Sequence, residues 1–238
     1  MCYTAKASIT AWWILAIMAL FLWYRNEAYD RAISIFVFTL GVIQLIEYGI
    51  HSGADAQQSG QAIYITLWLQ CLVLAIGVFI FIKSSMDAET DTPTLSGNII
   101  TIIAGWNLLL FAVVFIVALV VAFASDTTFS AAPGPSGHIE WYKDGGTILG
   151  SWSWLYVVGL FGPLILIFAY LAWADVGIAL LILYGILSAA YIFANYPPQA
   201  FTSMWCYLAI GFAFLAWMVG IIPGRGCSSC QESSECSS

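Results

Sequence analysis

The sequence predicts an all-α transmembrane fold, a seven-helix bundle, and three observations predict it. Hydrophobic residues make up 62% of the 238-residue chain and charged residues 8%, against roughly 25% charged in an ordinary soluble domain. The apolar residues fall into seven separate stretches, each near the ~20 residues that a helix needs to cross a bilayer. Aromatic residues with a polar edge gather at the stretch ends, at Trp12, Trp13, Trp23, Tyr24, Trp152, Trp154, Trp173 and Trp217, where such rings favour the membrane–water interface.

The first stretch is Ser8–Tyr24. It resembles the core of a signal peptide but has no small-residue cleavage site before Arg25, so it is expected to be retained as a span. The second, Ala32–Ile50, carries the one acid expected inside the membrane, Glu47. Ala62–Ile82 follows, then an acidic polar connection, Lys83–Gly97, and the fourth stretch, Asn98–Ala124. Ser125–Ser151 is the longest loop, with Pro133-Gly134-Pro135 ahead of the run HIEWYKDGG. That aromatic, partly charged segment is expected either to fold back over the end of the bundle or to be a mobile loop with Trp141 and Tyr142 at the interface. Trp152–Trp173, Val176–Ile192 and Phe201–Ile222 complete the set, giving a transmembrane domain over 1–224 and a Cys/Ser-rich flexible tail over 225–238.

Seven spans place the termini on opposite sides. Arg25, Arg31, Lys83 and Arg225 then share the side of the carboxyl terminus, and Lys6 and Lys143 the other. The excess of basic residues predicts an exoplasmic amino terminus and a cytoplasmic carboxyl terminus.

Polar groups inside a bilayer are costly and mark function or tight packing. Gln44, Glu47 and His51 are spaced three and four apart, which puts them on one helical face. Glu47 lies about one turn, roughly 5 Å, inside the end of its span. A carboxyl there must be paired, hydrated through a cavity, or protonated. Topology brings His138 and Glu140 of the long loop, Cys2, and Cys206 of the last stretch to the same end of the bundle. Two chemistries fit that cluster. Glu47, His51 and His138 could hold a zinc ion with an open position for water, as in catalytic zinc centres. Cys2 and Cys206 could instead form a disulfide in an oxidising compartment, or stay as two unpaired cysteines, one of them buried. Cys71, in mid-span, is expected to be a small buried hydrophobe. Cys227 and Cys230, just beyond Arg225, are candidate palmitoylation sites.

Several classes are excluded. The net charge of −7 and the scarcity of basic residues argue against nucleic acid. A retinal pigment needs a lysine in its last span, and Lys6, Lys83 and Lys143 all lie elsewhere. No Walker, Rossmann or GxSxG motif occurs.

The segments MCYTAKAS, RAISIFVFTLGVIQLIE, GHIEW and SMWCYLA together resemble an uncharacterised polytopic membrane protein family. Its members come from microbes, algae and large DNA viruses. They share an MC-x-S amino terminus, Gln-x-x-Glu in the second span and Ser-x-Trp-Cys in the last. The resemblance implies signature positions at Cys2, Gln44, Glu47, His138, Trp141, Ser203, Trp205 and Cys206, and it brings a viral membrane into view as a location. The chain departs from the pattern at Thr4, where Ser is usual, and at Lys6, where Glu is common. The resemblance implies no activity.

Three functions are therefore expected in order. The first is a structural or binding membrane protein, lipid-embedded and able to oligomerise, with the polar cluster holding one end of the bundle together. The second is a membrane-embedded metal-dependent hydrolase using Glu47, His51 and His138. The third is a proton or small-solute conductor in which Glu47 titrates.

Overall fold

The computed structural model describes residues 4–26, 30–88, 95–124, 126–134, 138–170, 176–195 and 210–218. Helix α1 (Ala5–Arg25) starts at Thr4, whose hydroxyl accepts from the Ala7 N–H at 3.2 Å, as a capping residue does for otherwise orphaned donors. It stops at Asn26, which takes the left-handed conformation (φ 54°) and donates its N–H to Leu22 O, a common helix ending. α2 (Asp30–His51) returns along α1. The Arg25 guanidinium grips the Asp30 carboxylate with two bonds of 2.6 and 2.7 Å. It also donates to Trp217 O at 2.7 Å and Ala216 O at 3.3 Å in α7 (residues 210–218). One side chain thus ties three helices at this end of the bundle through charge-assisted hydrogen bonds.

α3 (Ala56–Ala88) has 33 residues, about 50 Å by helix rise, which exceeds the ~30 Å hydrocarbon core. It packs on α2 where Gly77 meets Ala32. A Cβ at Gly77 would lie 2.7 Å from Ala32 Cβ and 2.9 Å from its Cα, so only glycine permits this approach between helix backbones. α4 (Leu95–Ala124) is followed by three short strands, β1 (Phe129–Pro133), β2 (Ile139–Lys143) and β3 (Gly146–Thr147). They form an antiparallel sheet in that order, with Ala131 opposite Trp141. A 3₁₀ turn, Gly150–Trp152, leads into α5 (Ser153–Tyr170), and α6 (Val176–Asn195) precedes α7.

Five helical segments are long and apolar enough to cross a membrane: Ala5–Arg25, Asp30–His51, Ala56–Ser85, Asn98–Phe123 and Gly150–Ile167. α6 contributes a shorter apolar segment, Ala179–Tyr191. The chain is thus a mostly helical, multi-pass membrane protein.

Three features differ from what composition alone predicts. α3 begins at Ala56 rather than at Ala62, because Ala-Gln-Gln-Ser-Gly-Gln is compatible with helix while lacking the apolar character that marks a span. The long loop is a sheet rather than an irregular fold-back, an addition to an otherwise helical protein. Glu47 is not the only buried acid: Asp30 is 4% exposed, held by Arg25 just outside the apolar stretch.

Candidate functional site

The Glu47 cluster is built from α2 outwards. Gln44 and Glu47 lie one turn apart on α2 and both are 0% exposed. Gln44 Nε2 donates to Glu47 Oε2 at 3.1 Å, so the spacing of three that placed them on one face also joins them. A carboxyl cut off from water needs such partners. His51 sits in the last turn of α2, half-buried.

The sheet covers this end. The first turns of α3 are the platform: Phe129 N–H donates to Gln57 Oε1 at 2.6 Å, and the centres of the Tyr64 and Phe129 rings are 5.2 Å apart. Gly60 allows the contact, since a Cβ there would lie 2.9 Å from Ser130 N. Side chains alternate along a strand, so Ile139, Trp141 and Lys143 share one face of β2 and Glu140 and Tyr142 the other. Ile139 and Trp141 are both 0% exposed. Trp141 Nε1 has no hydrogen-bond partner among the described residues. Asp144 and Gly145, with φ of 50° and 76°, make the tight turn to β3 that an Asp-Gly pair favours.

His138 opens β2, fully buried, and its carbonyl accepts from Gly134 N–H at 2.7 Å. Burial pushes the His138 imidazole below its ordinary value by disfavouring the charged ring. Tyr142 OH donates to the Glu140 carboxylate, and that bond to a neighbouring anion pushes the phenol up.

A second polar group lies deeper in the bundle. Tyr156 OH of α5 donates to Gln70 Oε1 of α3 at 2.7 Å, and Gln70 Nε2 donates to Thr39 O of α2 at 3.3 Å. Gln70 and Tyr156 are each 0% exposed, so three helices share one amide. Cys71 is a buried small side chain, as expected, with Sγ 3.8 Å from Tyr156 O. The sequence reading missed Gln70, although a lone amide inside ITLWLQCLVLAI was the signal. Tyr156 carried no comparable signal, because tyrosine near a span end is ordinary.

The structure therefore joins Gln44 to Glu47 and buries the side chains of His138 and Trp141, just before and in the middle of β2. Among the described residues no three His, Cys, Asp or Glu side chains come together as a metal site, so Glu47, His51 and His138 are not gathered as a zinc-ligating set. Cys2, Ser203, Trp205, Cys206, Cys227 and Cys230 lie outside the described residues. No protein-family model and no curated protein matches the chain.

Proposed function

We propose that this chain is a structural or binding protein of its membrane, with seven spans and an exoplasmic amino terminus. In it Gln44 and Glu47, bonded to each other along α2, are a buried polar pair on the side of that helix that packs inside the bundle. The observation that carries this reading is burial: Gln44, Glu47 and His138 are each 0% exposed. Hydrolysis needs a water and a substrate beside the acid or metal, and a titrating vestibule needs water at the carboxyl.

One observation favours the conductor as the second reading. Asp30, Ser34, Gln44 and Glu47 are all buried on α2, and helical periodicity sets them on one broad face. Asp30 to Glu47 covers about 25 Å of helix rise. Between Ser34 and Gln44, however, that face offers about 15 Å without a polar side chain, too far for a proton to hop without intervening water. The gap ranks conduction below the scaffold.

Glu47→Gln separates the readings. The scaffold expects a melting temperature lowered by several degrees in detergent, and proton flux in liposomes no greater than in protein-free vesicles. Flux that rises with proton gradient in the wild type and vanishes in the variant would establish the conductor. Stoichiometric zinc, lost from a Glu47→Ala, His51→Ala double variant, would make the cluster a metal centre and put the metal-dependent hydrolase first. A melting temperature identical in wild type and Glu47→Gln would remove the scaffold role.

A further inference from the structure

Away from the Glu47 cluster, a groove of about 280 Å³ runs down the outside of the bundle between α3 and α4, below the sheet. Trp68, Val113, Val117, Val121, Lys143 and Trp152 line it. The three valines recur at every fourth position of α4, a straight stripe descending about 12 Å from the sheet end. Val113 and Val117 are each 51% exposed, so the groove opens sideways into the membrane. Trp152, in the 3₁₀ turn just before α5, stands at the level where indole rings favour the interface.

A cation sits at the upper end. Strand alternation turns Lys143 to the same face of β2 as the buried Trp141, and its Nζ lies 5.3 Å from the centre of the Tyr64 ring. No salt bridge among the described residues includes Lys143. The neighbouring acids are otherwise engaged: Glu140, on the opposite face of β2, accepts from Tyr142 OH. Asp144 Oδ1 accepts from Thr128 N–H at 2.9 Å and lies 3.3 Å from the Thr128 hydroxyl.

We propose that this groove is a binding site for an anionic phospholipid of the surrounding bilayer. The phosphate is set against the Lys143 ammonium and one acyl chain lies along Val121, Val117 and Val113. An acyl chain gains little by exchanging lipid neighbours for valine, since lipid tails are as apolar as the side chains. Selection must then come from the headgroup, and a cation held against an aromatic face at the interface, where charge is weakly screened, supplies it. A purely apolar groove would take any lipid; the lysine makes this one discriminate by charge.

Native mass spectrometry of the full chain, released from detergent with phosphatidylglycerol or with phosphatidylcholine of the same acyl chains, tests the site. The wild type is expected to retain phosphatidylglycerol about fivefold more than phosphatidylcholine, the preference one lysine confers at an anionic surface. Lys143→Ala removes that preference. Val117→Trp, which fills the groove, lowers retention of both lipids, and an unchanged melting temperature shows that each variant is folded. Equal retention of the two lipids by the wild type overturns the proposal. So does wild-type retention by both variants, or a dimer that Val117→Trp dissociates, which would make the occupant a second copy of the chain.

Discussion

α2 and α4 are both long enough to cross a bilayer, yet the apolar window of α2 is 61% buried within the protein and that of α4 only 17%. α4 is the more uniformly apolar of the two; α2 carries Asp30, Ser34, Thr39, Gln44 and Glu47 as buried side chains. The usual rule of soluble proteins is inverted here. In water, apolar character predicts burial; in a bilayer the lipid is itself an apolar partner, so polar and small residues mark the helix that packs inside. Ser34 Oγ donating to Ala19 O at 2.6 Å, Gln70 bridging to Thr39 O, and Gly77 against Ala32 are all contacts of that kind.

The largest test of this contrast is Asp30→Ala. The Arg25 and Asp30 side chains are 11% and 6% exposed, and removing one partner of a buried pair costs about 3–5 kcal/mol because the other charge is stranded. A melting temperature in detergent lowered by on the order of 10 °C is expected; a shift of a degree or two would mean that water already reaches the pair. Next comes a matched pair of substitutions. Gly77→Val must push against the Ala32 backbone, and overpacking of this kind costs about 1–3 kcal/mol. Gly105→Val on α4 meets only Phe79 Cε2 at 3.6 Å, an ordinary contact, and should leave stability near that of the wild type. Equal losses at the two glycines would break the comparison, because α4 would then be as closely packed as α2.

The smallest effect concerns pH. Burial lowers the affinity of the His138 imidazole for a proton. Above about pH 6.5, the ordinary histidine value, folded and unfolded chains both hold it neutral and stability is flat on this account. Below that pH the unfolded chain binds a proton that the buried ring resists, so stability falls as pH falls. The fall should be shallower in His138→Asn, measured as melting temperature against pH between 7 and 5. Parallel curves for wild type and variant would show that the ring protonates freely in the folded state.

How much was legible follows the same division. The Gln44–Glu47 bond could be anticipated from spacing, because residues three apart on a helix are neighbours whatever surrounds them. The Asp144-Gly145 turn was equally local and went unread in KDGG, where two residues suited to positive φ stand together. The Tyr156–Gln70–Thr39 bridge was not legible. It joins positions 86 and 31 apart in the chain, and nothing in any one segment reports which helices become neighbours. The reach of Arg25 to Trp217 O, 192 positions away, was hidden for the same reason; in the sequence Arg25 is only a basic residue beside a span.

By itself, then, the sequence determined that the chain is helical and membrane-embedded. It also determined where its apolar segments lie and which polar residues share a helical face. Those properties depend on composition and on the 1.5 Å rise and 3.6-residue turn of a helix, which are local. Tertiary structure alone decided that α3 runs on past its apolar stretch to carry a sheet, that Gln70 joins three helices, and that α4 faces outwards with a lysine at the head of its groove. These outcomes depend on which surfaces meet, and segments of nearly equal apolarity carry little information about their partners.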